Sequence, residues 1–314
     1  MNNSNHPLTE KSQLRKDLCK GYLYNMYNHY GITEYKEKWK IGSKVIYASR
    51  NSVVYDCYRS LQKRCRICLF QSFARKKTIF NVIKIASLSD NEIYCLSRLS
   101  HPNIMKSVEV FKNQYGMLIV LPYYPAGDLM DVLSKYQLTN FQKTQIAIQL
   151  VNTIAFLHRH EIAHGDIKIE NIMMEKQFNS TTTFNRLKAK HSVYWKIILT
   201  DFGLSVIKNK IDHCNPPESS SDPFKSDIWN LGIVLLHLFG MSLDQLEKSY
   251  SGKNRLIEVS LWSDDSGTDT ENIILERNPF EELFIYILER DPTKRWTIFQ
   301  CQEWMLQNQH LRHY

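Results

Sequence analysis

The stretch His164-Gly165-Asp166-Ile167-Lys168-Ile169-Glu170-Asn171 sets a carboxylate, an ammonium and a carboxamide at i, i+2 and i+5. Its flanks are apolar, Ile162-Ala163 before it and Ile172-Met173-Met174 after it. That pattern predicts a polar loop held between two short buried strands. Downstream, Leu199-Thr200-Asp201-Phe202-Gly203 reads as an apolar strand that delivers an aspartate into a glycine turn. The Asp-Phe-Gly motif alone is weak. In this order, and after a β-rich half with Lys84 embedded in the apolar run Phe80–Ile85, the pair is specific.

Outward from these motifs the chain changes character once. Up to Leu121 short β-like runs dominate: Lys44–Tyr47, Val53–Tyr58, Phe80–Ile85, Val108–Phe111 and Met117–Leu121. One helix is expected among them, Asp90–Leu99, with Asp90 as N-cap and Ile93, Leu96 and Leu99 at helical spacing. Pro122, Pro125 and Gly127 punctuate the junction. Beyond it the pattern is helical at Asp128–Lys135, Phe141–His158, Ser226–Phe239, Pro279–Leu288 and Ile298–Asn308. Residues 1–36 carry no strong period and read as an extension.

The chain has 314 residues, 43% hydrophobic and 23% charged, an ordinary globular balance that supports one large domain or two lobes. A net charge of +8 suits an anionic ligand or acidic partners and does not by itself indicate nucleic acid. The opening residues are polar, and no apolar run approaches the roughly 20 residues of a membrane helix. Seven cysteines are therefore expected to be reduced thiols, with the protein intracellular, in cytoplasm or nucleus or both. Cys65 and Cys68 have zinc-knuckle spacing, but no second pair completes four ligands. Three polar segments read as solvated insertions: a basic one at 59–77, a Thr/Asn/Lys-rich one at 176–192, and 251–271, which ends acidic. The basic one could receive an acidic partner.

From about Trp39 to Leu306 the chain resembles the eukaryotic protein kinase family, serine/threonine type. The first quoted stretch is similar to its catalytic loop and the second to its magnesium-binding Asp-Phe-Gly. The resemblance implies an α+β, bilobal protein-kinase fold. A small β-rich N-lobe with one regulatory helix would span 37–121, and a larger, mainly helical C-lobe 122–314, with the ATP cleft between. By the same resemblance Asp166 accepts the substrate hydroxyl proton, Lys168 meets the transferring phosphate, and Asn171 and Asp201 hold Mg²⁺. Lys84 would grip ATP phosphates with Glu92 as its ion-pair partner. Val54 and Met173 would sandwich adenine, with Leu121 as gatekeeper, Tyr123 and Tyr124 in the hinge, and Asp128 opening the helix after it. Asp227 would anchor the catalytic loop, and Glu218 would pair with Arg295. Trp229, Phe202 and His164 read as packing residues.

The pattern also departs from the family. Where glycines normally cover the phosphates, the aligned stretch Tyr47-Ala48-Ser49-Arg50-Asn51-Ser52-Val53-Val54 has none. Gly165 stands where an arginine normally pairs with an activation-loop phosphate. The segment after Gly203 is short, with Ile211 in the usual threonine position and no hydroxyl residue from Val206 to Asn215. The reading is a kinase that transfers the ATP γ-phosphate to Ser/Thr hydroxyls of proteins and is active as synthesised. Lys168 favours serine/threonine over tyrosine. The alternatives are a pseudokinase acting as a scaffold, on the strength of the glycine-free loop, and a small-molecule phosphotransferase.

Overall fold

In the computed structural model, described residues are 36, 39–48, 52–59, 81–86, 90–113, 116–178, 193–207, 222–241 and 280–308. The extension 1–35, the insertions at 60–77, 179–192 and 251–271, the loop residues Ser49 and Asn51, and Cys65, Cys68, Ile211 and Glu218 lie outside them. The described residues up to Ser100, with Met105–Pro125, form one compact unit; His101–Ile104 and the described residues from Ala126 onward form another.

The first unit is a five-stranded antiparallel sheet in the order β1-β2-β3-β5-β4, built from β1 (Trp39–Ala48), β2 (Ser52–Arg59), β3 (Asn81–Ala86), β4 (Glu109–Lys112) and β5 (Met117–Pro122). Alternation in the strands decides its faces, because successive side chains point to opposite sides. Val53, Tyr55 and Cys57 of β2, Ile83 and Ile85 of β3, and Leu118 and Val120 of β5 share one buried cluster with Trp39. Val54, Val82, Lys84, Ile119 and Leu121 therefore lie on the other face. The register sets Val54 opposite Lys84, Lys84 opposite Ile119, and Val82 opposite Leu121. Helix α1 (Asp90–Arg98) buries Glu92, Cys95 and Leu96. Asp90 is its first helical residue, inside the helix and not the cap before it that the sequence suggests.

The second unit is built around α3 (Asn140–Arg159), which opens on a Thr139/Gln142 capping box. Its fully buried stripe is Ile146, Ala147, Leu150, Val151, Ile154, Ala155 and Leu157. The shorter α2 (Leu129–Lys135) precedes it. Helix α4 (Pro223–Phe239) starts three residues before the expected Ser226, because Pro223 suits the first turn and the Asp222 carboxylate accepts from Phe224 N. Helices α5 (Glu281–Ile287) and α6 (Ile298–Gln307) complete this layer, with the Phe280 ring in tilted contact with Phe239 and Trp304.

Two small antiparallel pairs carry the motifs: β6 (Ile162–Ala163) with β9 (Val206–Ile207), and β7 (Ile172–Phe178) with β8 (Val193–Leu199). The polar segment expected from 176 is strand through Phe178, where Phe178 pairs with Val193. Among the described residues no helix is long and apolar enough to cross a membrane. Cys57, Cys95 and Cys301 are buried, and burial pushes the thiols of Cys57 and Cys301 up to about 12.

Candidate active site

Strand pairing brings the two motifs of the second unit together. Ile172 faces Leu199 at the start of β7 and the end of β8. The residues just beyond this pair, Asn171 and Thr200, are joined by Thr200 N–H donating to the Asn171 carbonyl at 3.0 Å. Asp201 follows Thr200 directly. Strand β8 is fixed from behind by two side chains that sequence reading passed over. Asn103 Nδ2 donates to the carbonyl of Ile197 at 2.8 Å and to Gln149 Oε1 at 2.9 Å. Gln149 Nε2 donates to the Trp195 carbonyl at 2.9 Å. A glutamine inside the otherwise apolar stretch of α3 was the available signal.

Asp166 is the centre of the loop. Its Oδ2 accepts from Lys168 Nζ at 2.6 Å and from Asn171 Nδ2 at 2.9 Å. Asn171 Nδ2 also donates to the Asp166 main-chain carbonyl at 2.7 Å. Both acceptors fix the orientation of the Asn171 amide and turn its Oδ1 away as the remaining acceptor. Asn171 is buried, whereas Asp166 and Lys168 are partly exposed. Asp201 adopts a left-handed backbone, φ 64° and ψ 71°, uncommon for a residue with a side chain and usually retained only where surrounding contacts enforce it.

Those contacts run through His164, which is wholly buried. Its Nδ1 accepts from Asp166 N–H at 3.2 Å, so its proton sits on Nε2, which donates to the Thr200 carbonyl at 3.0 Å. Burial holds its pKa below the ordinary imidazole range, and the ring is neutral. The ring also meets Phe202, fully buried, at 4.8 Å between centroids. The sequence marked His164 as packing; it packs and also ties the two motifs together.

Below the loop, the fully buried Asp227 of α4 accepts from the main-chain N–H of His164 at 2.7 Å and of Gly165 at 2.9 Å. His158 Nε2 lies 3.0 Å from the same carboxylate; nothing in the sequence marked it. Asp128 caps α2 through Oδ1, 2.8 Å from Asp131 N, and forms a bridge with Met173. Burial raises its pKa, with the charges of Asp131 and Glu170 adding in the same direction. Arg295 stacks on Trp229 and donates to the main-chain carbonyls of Glu289, Lys225 and Arg290; the expected pairing with Glu218 lies outside the described residues.

In the first unit, Lys84 Nζ and Glu92 Oε1 are 2.6 Å apart, with side chains 9% and 3% exposed. Val54 and Leu121 share the sheet face of Lys84, as the register above requires. Asn81 Nδ2 lies 3.4 Å from the Leu121 carbonyl. Tyr124 is partly buried in the same unit, and Tyr47, at the end of β1, is half exposed.

Within the second unit the donor types fit a hard cation and phosphate, with a carboxylate at Asp201, an amide oxygen at Asn171 and an ammonium at Lys168; within the first, the Lys84 ammonium suits phosphate. Among the described residues no three His, Cys, Asp or Glu gather in a cluster that could hold a metal ion.

A family model described as "Protein kinase domain" matches residues 50–306. The chain is 26% identical over 229 residues to the serine/threonine-protein kinase ppk27 of Schizosaccharomyces pombe, covering 68% of this chain and 55% of that protein. It is 29% identical over 247 residues to calcium-dependent protein kinase 6 of Plasmodium berghei, covering 74% of this chain and 15% of that one. Against human myosin light chain kinase 3 the identity is 27% over 246 residues, covering 71% and 28%. The chain thus spans little more than half of the first of these relatives and far less of the others. Among solved structures, the one titled Rad53 kinase domain and SCD2 matches with a TM-score of 0.52 at 17% identity, covering 85% of this chain and 87% of that one. The fold is the bilobal protein-kinase fold expected from the sequence. This chain belongs to the protein kinase family.

Proposed function

We propose that this chain is an active serine/threonine protein kinase that moves the γ-phosphate of ATP to protein hydroxyls. The observation that carries the reading is the Asp166 carboxylate, whose Oδ2 takes hydrogen bonds from both Lys168 and Asn171. A carboxylate fixed at one oxygen keeps the other for an acceptor hydroxyl. Asp166 orients that hydroxyl and takes its proton as the acceptor oxygen bonds to the γ-phosphorus. The bond to the β,γ-bridging oxygen breaks and ADP leaves. Lys168, beside Asp166, offsets charge on the phosphoryl oxygens in flight. Lys84, held straight by Glu92, grips the nucleotide phosphates. Asn171 Oδ1 and the Asp201 carboxylate would hold Mg²⁺, which when bound neutralises phosphate oxygen charge. Asp128 and Glu170 add negative charge that favours basic residues upstream of the acceptor.

The second reading, a pseudokinase scaffold, rests on the glycine-free stretch Tyr47–Val54. Against it stands the full set of Lys84, Glu92, Asp166, Lys168, Asn171 and Asp201. Incubation with labelled ATP, magnesium and mixed protein acceptors, followed by phosphoamino-acid analysis, separates the readings. Label on serine and threonine that requires Asp201 supports the kinase. Nucleotide binding with no transfer supports the scaffold, and label on tyrosine contradicts the proposed specificity. Localisation in cytoplasm or nucleus and an acidic partner for the basic segment at 59–77 belong to the same proposal.

A further inference from the structure

Gly165 has φ +79°, and a β-carbon built on it would stand 2.4 Å from the main-chain carbonyl oxygen of Leu204. Real β-carbons do not approach backbone oxygens so closely, so the glycine is required twice, for its backbone angle and for its missing side chain. Neither partner is able to withdraw. Gly165 N–H is held by Asp227 Oδ1 at 2.9 Å, and the preceding N–H by Oδ2 of the same buried carboxylate. On the other side, Leu204 lies in a segment fastened at both ends. Phe202 is fully buried against His164. Buried Ser205 donates from Oγ to the Phe202 carbonyl at 2.8 Å and from N to the same oxygen at 3.1 Å. Val206 and Ile207 then pair with Ala163 and Ile162.

We infer that Gly165 is a positioning residue for Asp201. Its bare α-carbon lets residues 202–207 dock flat on the catalytic loop, and that docking holds Asp201 in its left-handed conformation, φ 64°. The absence of arginine at this position is then more than the loss of a phosphate-binding cation. It allows a direct backbone-to-backbone seat that orders the start of the activation segment without a phosphate. Ser205 is part of the seat, its hydroxyl turned inward and buried, so it is not offered to another kinase. The inference rests on the reading of Asp201 as a phosphotransfer residue, but its first readout does not.

The test compares Gly165→Ala and Gly165→Asn with the unaltered chain by amide hydrogen exchange and by steady-state kinetics. Asparagine tolerates positive φ but carries a β-carbon, so it separates the two requirements. Exchange at residues 205–207 is expected to quicken about tenfold or more in both variants, while α4 and the β7–β8 pair keep their protection. With acceptor present, kcat is expected to fall about 100-fold, the scale of an ångström-level misplacement, with acceptor KM little changed. Asn behaving as the unaltered chain in exchange overturns the seat and leaves only a requirement for positive φ. Unchanged exchange in both variants overturns the whole inference, whether or not the chain transfers phosphate. If neither glycine variant folds, Ser205→Ala decides: it removes one fastening without adding a β-carbon beside Leu204, and unchanged exchange at 205–207 contradicts the account. A chain that shows the exchange changes but no transfer at all fails the kinase reading alone.

Discussion

Asn171 gives its side-chain amide nitrogen to Asp166 twice, to the main-chain carbonyl at 2.7 Å and to Oδ2 at 2.9 Å. One residue therefore sets the backbone and the carboxylate of the central acid, and aims its own Oδ1 outward. Asn171→Asp replaces the donor with an acceptor facing the Asp166 carboxylate, and like charges at this range repel. It is expected to lose about 10²–10³-fold in kcat, the scale seen when one preorganised polar group is removed, and to need more magnesium for half-maximal rate. A magnesium titration beside the rate measurement checks this; an unchanged magnesium requirement contradicts it.

Lys84 and Glu92 form a buried pair, and removing one member of such a pair typically costs about 3–5 kcal/mol because the other charge is stranded. Lys84→Met is thus expected to lower both nucleotide affinity and thermal stability. The double variant Lys84→Met with Glu92→Leu is expected to regain most of the stability and none of the affinity. Melting curves with and without nucleotide separate the two effects.

Asp227 satisfies two main-chain donors and His158 with no exposure to solvent. Asp227→Ala leaves those donors unmet, at about 1–3 kcal/mol each. A drop in Tm on the order of 10 °C is expected for a domain of this size. Asp227→Asn keeps one acceptor oxygen and is expected to lose less. Equal Tm for all three proteins would show that the anchor contributes nothing to folding.

His164 resists protonation in the folded chain because burial penalises the cation, and His101 is shifted the same way for the same reason. The unfolded chain protonates near pH 6.5. Below that pH the unfolded state binds more protons, so stability is present at neutral pH and falls as the solution is acidified toward about pH 5. The slope contributed by one such group is at most about 1.4 kcal/mol per pH unit. His164→Asn is expected to be less stable at pH 7 and to depend less on pH between 5 and 7, with His101 leaving a residual slope. Denaturant midpoints across that range measure it.

Much of this was legible before any coordinates. The short β-like runs Val53–Tyr58 and Phe80–Ile85 announce strands, and the embedded Lys84 stands out because it breaks an apolar run. The 164–171 stretch reads as a loop because its apolar flanks, Ile162-Ala163 and Ile172–Met174, read as buried strands. Helix ends were less legible. The start of α4 depends on Asp222 and Pro223, which look like turn residues until their capping contact is seen. Long-range polar contacts were least legible of all. Asn103, Gln149 and His158 act across large sequence separations, and only Gln149 carries a local mark, a glutamine within an apolar stretch. Gly165 was legible only as a missing cation; that a β-carbon would strike the Leu204 carbonyl is a fact of packing between segments that sequence spacing does not encode.

The central claim is that Asp166 is the proton acceptor of a phosphoryl transfer carried out by this chain. The most direct measurement is kcat for transfer from labelled ATP to a serine- or threonine-containing acceptor, compared between the unaltered protein and Asp166→Ala purified in parallel. The account predicts transfer by the unaltered protein and a loss of about 10²–10⁴-fold in the variant, the range for a removed general base, with folding intact by melting curve. Equal rates in the two preparations would contradict it.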